Sequence, residues 1–565
     1  MPAPRLRLVP PLAAIALAAA SPASAEAQDD PAKQPPFGGQ RPPELVPTSS
    51  PDERPSGFGL DAEAAIEAAL ASEEVRDELG ESPDARPRAF VRGERWQVGL
   101  FDQGGEEVAR VVLDGETGEV VEALRDEQVG SELARGYDGA VAQKVNAPYV
   151  WLPLCLLFLI PFVDWRRPLR LLHLDLLVLL GLGASLYFFN RAEIEVSVAL
   201  YYPVLGYFLV RMLVAGLFPR VRAGLVVPHL PVRALAIAAV LLAAGRIALN
   251  VADSQVIDVG VAGVIGADRL VDGEELYEGG FSPGLDLRGD VYGPANYLAY
   301  VPAEQLWPWE GVWDDVPAAH AAAIAFDLLC ALGLLALGRR LREGAEGRAL
   351  GWALAFAWLA CPFTLYTMNA NANDSLVAAL GVGALLALRS PSGRGALTAL
   401  AAAAKFGSAA LAPLFATGTG ERRWRSAAIF TLAFGLVAAG LALPLLPDGG
   451  LRELYDRTLG YQASRGSPFS VWGQAPSLDF AQPLARIAAV ALALAVALWP
   501  RFRSPAQVAA LAAAVTIAIQ LTAAHWFYFF VVWFLPFVLV AAFATQARIA
   551  ASDSADPDLE PAGCR

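Results

Sequence analysis

Apolar runs of about twenty residues recur from Tyr149 to near the C-terminus, and they constrain this chain more than any other feature. A run of that length, coiled as a helix, matches the hydrocarbon thickness of a bilayer. Lipid satisfies no backbone polar group, so only helices and closed barrels span it. Composition agrees: 55% of the 565 residues are hydrophobic and 18% charged, with mean hydropathy +0.42, where soluble domains carry about 25% charged residues. The reading is a polytopic α-helical membrane protein.

Spans are expected at 150–163, 171–189, 195–218, 231–250, 317–338, 349–368, 373–389, 425–447, 484–500, 505–524 and 526–547, about eleven in all. With Tyr149 outside, the basic clusters Arg166/Arg167/Arg170, Arg220/Arg222, Arg339/Arg340/Arg342 and Arg501/Arg503 all fall on inner loops, as the positive-inside rule requires. The stretch 395–416 has basic flanks on both sides, Arg389/Arg394 and Arg422/Arg423/Arg425. A single crossing would break the rule there, so a re-entrant helical hairpin is expected. Two long loops, 251–316 and 447–483, then face outside.

Net charge is −14, yet residues 26–149 alone carry 12 Lys/Arg against 27 Asp/Glu. An acidic excess confined to one segment excludes nucleic acid as a partner, because a phosphate backbone needs a basic face. Arg5 and Arg7 precede an apolar run to Ala20, followed by the small residues Ala23-Ser24-Ala25. This reads as a signal peptide over 1–25, which makes the segment after Ala25 extracytoplasmic. Residues 26–57, rich in Pro, Gly and Ser, are expected to be a tether without structure.

A helix is predicted over Leu60–Leu79 with Asp61 as its N-cap. Strands are predicted at Ala89–Val91, Arg95–Phe101, Val108–Leu113 and Val120–Ala123, separated by the turn signals Gly104-Gly105 and Asp114-Gly115. This order, with Trp96-Gln97-Val98 and Asp114-Gly115-Glu116-Thr117-Gly118-Glu119-Val120, resembles a PepSY-type domain over 58–126. The resemblance implies a binding or regulatory appendage. A linker (127–148), the polytopic domain (149–547) and a cytoplasmic tail (548–565) complete the expected organisation.

The four cysteines, Cys155, Cys330, Cys361 and Cys564, lie in spans or the tail and offer no disulfide framework. The four histidines are scattered at His173, His229, His320 and His525. No metal site or cofactor is identified, and dependence on a divalent metal stays open.

Chemistry is expected in the first outside loop. Asp253, Asp258, Asp268 and Asp272 cluster near the membrane surface, and most outside-loop acids are simply solvated. Asp258 differs in lying among Val256, Ile257, Val259 and Val261. An unpaired charge is costly in apolar surroundings, and partial burial would tune the carboxyl toward general-base work.

The order of a span, an acidic residue, Gly273, Leu276-Tyr277 and then Tyr292-Gly293-Pro294 resembles membrane glycosyltransferases of the GT-C fold class, with glycosyltransferase family 87 the closest named relative. The resemblance implies transfer of a sugar, a hexose such as mannose, from a polyprenyl-phosphate donor to an acceptor hydroxyl on a glycolipid, polysaccharide or protein. It implies the outer face of a bacterial cytoplasmic membrane as the place, and inversion at the anomeric centre. The catalytic aspartate then corresponds to Asp258, with Asp253 second.

The same resemblance places Tyr277, Tyr292, Asn369, Asn371, Asn373 and Asp374 at the substrate pocket. It assigns Arg465, Lys405 and His525 to the donor phosphate, to which Arg246, one turn before Asn250 on the span leading into the first loop, is added from its position. Independently, a lysine at membrane depth costs about 3 kcal/mol unless it meets an anion or water. For Lys405 that partner is either a phosphate or Asp374. Arg465 offers a fork suited to phosphate oxygens, or is a solvated loop residue. Arg246 either snorkels outward or approaches the phosphate. His320 and Asp327, seven apart, share one helix face and serve either chemistry or helix pairing. Two other functions fit the same sequence: a transporter or flippase of lipid-linked sugars, and a sensor or assembly factor using the PepSY-like module.

Overall fold

The computed structural model describes residues 46–549 apart from 49, 73–74, 77–78, 81–82, 102–106, 126–142, 192, 219–221, 227–229, 278–280, 282–288, 312–315, 465–466, 479 and 545. The expected signal peptide, most of the tether and linker, Arg465 and nearly all of the tail lie outside these residues.

The N-terminal module is a five-stranded antiparallel meander, β1 (Val46–Pro47), β2 (Arg86–Arg92), β3 (Arg95–Phe101), β4 (Glu107–Asp114) and β5 (Val120–Arg125), with one helix, α1 (Ala62–Leu70). Alternation sets the core: Trp96, Val98 and Leu100 of β3 and Ala109, Val111 and Leu113 of β4 are buried with Ala62, Ala65 and Ala69 of α1. Asp61 caps α1 by accepting from the Ala64 N–H at 2.9 Å, satisfying one of the helix's orphan donors. Val46 and Pro47 pair with Val91 and Phe90. The stretch expected to be bare tether therefore contributes an edge strand, where proline's missing N–H costs no ladder bond.

The main helices of the rest of the scaffold, up to and including the hairpin, are α2 (Pro148–Leu159), α3 (Leu171–Phe189), α4 (Ile194–Leu217), α5 (Val232–Ala252), α6 (Asp258–Asp272), α7 (Pro294–Glu304), α8 (Pro317–Leu341), α9 (Gly344–Ala360), α10 (Pro362–Asn369), α11 (Asp374–Leu386), α12 (Pro391–Ala404) and α13 (Ala412–Thr417). After α13 come α14 (Arg423–Ala442), α15 (Ala481–Leu498), α16 (Pro505–Gln520) and α17 (Val531–Ala544).

The expected count of about eleven spans is not reproduced. Among the described residues six helices are long and apolar enough to cross a membrane (α3, α4, α5, α8, α14 with its 3-10 extension to Leu445, and α15), or seven if the bent pair α9/α10 is one span. That pair bends by 57° at Cys361-Pro362. The residue before a proline is pushed out of the α region, and Cys361 is accordingly extended, at φ −69° and ψ 126°. Five further apolar stretches, Pro148–Leu159, Asp374–Leu386, Phe406–Thr417, Pro505–Gln520 and Tyr528–Ala544, are shorter, at 10–17 residues each, and in sequence burial in protein and burial in lipid leave the same apolar signature. In α16, Val508 through Ile517 are almost completely enclosed by protein, whereas α14 buries only 6% of its apolar window.

The stretch 391–417 doubles back at Lys405, whose backbone is extended (φ −138°, ψ 114°). Arg394, in the first turn of α12, donates from Nε to the Phe415 carbonyl near the end of α13 at 2.7 Å. As one continuous helix those two residues would stand about 30 Å apart. The base of this hairpin is closed further by Arg394 Nη2 on Ser426 Oγ at 2.6 Å and by Arg503 Nη1 on Thr417 Oγ1 at 3.1 Å.

Candidate functional site

Two groups of polar residues meet where α5, α7, α8, α10, α11 and the hairpin apex come together, and a third lies beyond Phe530, in the loop before α15 and the segment before α17. The first is built on a turn. Asn371 adopts φ +52°, a left-handed conformation that asparagine tolerates better than other side-chain-bearing residues. The turn it forms is stitched to the segment between α5 and α6. Gln255 N–H donates to the Asn369 carbonyl at 3.3 Å and Ile257 N–H to the Ala370 carbonyl at 3.2 Å. Asn371 Nδ2 donates to Ser254 Oγ at 3.0 Å and to the Gln255 carbonyl at 2.8 Å, and Asn369 Nδ2 to the Asp253 carbonyl at 3.2 Å. Asn250 Nδ2 donates to Met368 O and Asn371 Oδ1, and His320 Nδ1 lies 3.1 Å from Asn250 Oδ1 and 3.2 Å from Ser254 Oγ.

The stitching fixes where α6 starts and so where Asp258 stands. Its carboxylate is exposed and accepts from the Val259 N–H at 2.8 Å. The expectation of a desolvated Asp258 is corrected. Val256, Val259 and Val261 are buried, but Asp258 itself, at the N-terminal end of α6, stays exposed. Asp253 is also exposed, its carboxylate 3.0 Å from Lys144 Nζ.

The second group surrounds the hairpin apex. Asp374 is buried and accepts from Trp533 Nε1 at 2.7 Å, with Lys405 Nζ 3.4 Å away. The ammonium also lies 5.1 Å from the Tyr292 ring centre, 5.7 Å from Phe530 and 6.0 Å from Trp533, distances at which ring quadrupoles attract a cation. The Tyr292-Gly293-Pro294 motif has a steric reason here. A Cβ on Gly293 would stand 2.1 Å from the Ala403 carbonyl, so only glycine lets the start of α7 press on the hairpin and seat Tyr292 over Lys405. Tyr277 donates to the Tyr292 carbonyl at 3.0 Å, and Asn373 donates to Asn296 Oδ1. The structure thus joins Tyr277, Tyr292, Asp374 and Lys405 and sets Asn373 beside Asn296.

The third group holds His525. Its Nδ1 lies 2.9 Å from Ser467 Oγ, in a loop secured by α4: Tyr201 donates to the Phe469 carbonyl at 3.0 Å, and Val471 N–H to Tyr202 Oη at 3.3 Å. Arg465, two residues before Ser467, lies outside the described residues.

Arg246 belongs to none of these groups. Its guanidinium donates to Asp327 Oδ1 at 2.7 Å, the Leu359 carbonyl at 2.9 Å and Thr364 Oγ1 at 3.1 Å. It is buried and bound on several sides, so its assignment to the donor phosphate is replaced by a strut between α5, α8 and the α9/α10 bend. Asp327, which also accepts from Trp358 Nε1 at 2.9 Å, serves that strut rather than sharing a site with His320.

Sequence reasoning missed Trp533, Asn250, Ser254 and Asn296. It also missed Arg457, which lies in the loop after α14 and pairs with Asp290, before α7, at 2.9 Å and with Glu453 at 2.8 Å. Single polar residues in apolar or loop sequence were the only signal for them. The described residues contain no group of three His, Cys, Asp or Glu placed to hold a metal ion.

Residues 291–541 match the model of glycosyltransferase family 87. No curated protein matches the chain. The matched region contains Tyr292, Asn369, Asn371, Asn373, Asp374, Lys405, Arg465 and His525, while Asp253, Asp258, Tyr277 and Arg246 precede it.

Proposed function

Because residues 291–541 belong to glycosyltransferase family 87, we propose that this membrane glycosyltransferase takes its sugar from a polyprenyl-phosphate donor and passes it to an acceptor hydroxyl on the extracytoplasmic face. The sugar is a hexose and the acceptor a glycolipid, polysaccharide or protein. Asp258 is the general base. It removes the hydroxyl proton as the acceptor oxygen attacks the anomeric carbon; the bond from that carbon to the phosphate oxygen breaks, and polyprenyl phosphate leaves with the bonding electrons.

The observation that carries this reading is the stitching of residues 253–257 onto the Asn369–Asn371 turn. It ties the start of α6, which bears the exposed Asp258, to the family-matched region beside the Lys405 cluster. An exposed carboxylate is reachable by a polar acceptor arriving from water. Lys405 supplies positive charge for the phosphate, exchanging part of its contact with Asp374 for phosphate oxygens. His525 and Arg465 are further phosphate contacts in this reading, and Tyr277, Tyr292 and the Asn369–Asp374 segment shape the pocket. The N-terminal module is read as a PepSY-like appendage on the same side of the membrane.

The test is transfer of labelled sugar from polyprenyl-phosphate hexoses to membrane acceptors in liposomes, comparing wild type with Asp258→Asn at equal protein. Loss of a general base lowers the rate by about 10²–10⁴-fold. Equal transfer by both proteins removes Asp258 from the reaction, and no transfer by wild type rejects the donor class.

A further inference from the structure

A cleft of about 540 Å3 opens at the arginine-rich end of the bundle, where α8, α11 and α12 meet. Gly383 and Leu386 of α11 and Gly393 and Leu397 of α12 form its floor, and Arg340 and Arg389 stand at its mouth. Among the described residues no carboxylate lines it. Both arginines are exposed, and among the described residues neither has a hydrogen-bond or ion-pair partner, in contrast to Arg342 nearby, which pairs with Glu346 and donates to the Ala544 carbonyl. The floor is shaped by missing side chains: a Cβ on Gly383 would rest 3.4 Å from the Leu397 methyls, so anything longer occupies the cleft itself.

We propose that this cleft binds one anionic phospholipid, its phosphate between Arg340 and Arg389 and the upper part of an acyl chain on the Gly383–Leu397 floor. The charge is complementary: two cations without counter-ions are set over an apolar surface. The positive-inside rule assigns this end to the cytoplasmic leaflet, whose anionic lipids attract basic residues at the surface. Inorganic phosphate would satisfy the arginines but leave the apolar floor in water, so the occupant is the lipid. The site stands apart from the proposed reaction: α11 begins at Asp374 and α12 ends next to Lys405, and the cleft lies at the opposite ends of both helices.

Native mass spectrometry of the full-length protein, titrated in detergent with phosphatidylglycerol, phosphatidylcholine or inorganic phosphate, tests this. Wild type is expected to retain one phosphatidylglycerol in preference to phosphatidylcholine. Arg340→Gln/Arg389→Gln should weaken phosphatidylglycerol by about thirtyfold, from about 1 kcal/mol for each basic residue near the surface. Gly383→Leu, which keeps both charges, should weaken it by filling the floor. Equal retention of the two lipids by wild type, or unchanged retention in both variants, overturns the proposal. Binding of inorganic phosphate that displaces the lipid and is unaffected by Gly383→Leu overturns the lipid as occupant.

Discussion

Arg246–Asp327 and Lys405–Asp374 are both basic–acidic pairs set deep in the helical bundle, and they are built differently. Arg246 and Asp327 meet at 2.7 Å with side chains 4% and 1% exposed, and the neighbours Leu359 O, Thr364 and Trp358 add hydrogen bonds on the facing edges. Lys405 and Asp374 stand 3.4 Å apart, at 13% and 2% exposure, and the ammonium is otherwise bordered by three aromatic rings. A guanidinium fork locks several acceptors in fixed geometry, whereas an ammonium is a point charge on a flexible stem. The first pair is therefore a strut, and the second leaves the ammonium held by one carboxylate contact and three ring faces, which is what the proposed phosphate role of Lys405 requires.

Breaking the strut should have the largest effect on stability. Asp327→Ala leaves the Arg246 charge buried without its partner and should cost about 3–5 kcal/mol, read as a lower unfolding midpoint in detergent. Replacing both partners, Arg246→Met with Asp327→Leu, should recover most of that loss, because an apolar pair of similar volume avoids desolvating charge altogether. A double variant as unstable as Asp327→Ala would mean the pair does more than hold the helices together.

Lys405→Met should invert the pattern. Asp374 keeps its bond from Trp533, so the midpoint should move less than in Asp327→Ala, while on the proposed function, in which Lys405 faces the leaving phosphate, sugar transfer should fall about a hundredfold. Unchanged transfer together with a large loss of stability would make Lys405 a second strut and erase the contrast.

The smallest effect belongs to a half-buried pair near the surface, Glu453 and Arg457. Glu453 is held below the usual carboxylate range by the Gly449 N–H and the Arg457 guanidinium. Its contribution is therefore present above the unfolded carboxyl's pKa and is lost as pH falls through the lower folded value. Glu453→Gln should lower the midpoint slightly at neutral pH, and the difference from wild type should vanish in acid and shrink in high salt, where surface charges are screened. A difference that persists under both conditions would show the pair to be shielded like the two buried ones.

Sequence patterning had direct access to whatever is local. The β3 and β4 alternation, the Asp61 cap and the long apolar helices depend on residues a few positions apart, the reversal between Arg394 and Arg425 on the charges flanking one apolar run, and the structure has each of them. The residue list for the site was partly readable as well, since Tyr292, Asp374 and Lys405 do converge.

Tertiary packing alone decided the partner of each polar group and the solvent each apolar helix meets. Arg246 finds Asp327 across 81 positions, Asn250 finds Asn371 across 121, and Trp533 finds Asp374 across 159. The exposure of Asp258 depends on where α6 begins, and that is set by backbone bonds to a turn more than a hundred residues away. Hydrophobicity and capping act over a few residues and so can be read along the chain. A buried charge is satisfied by whichever complementary atom the packed helices bring within about 3 Å, and sequence spacing carries no record of that distance.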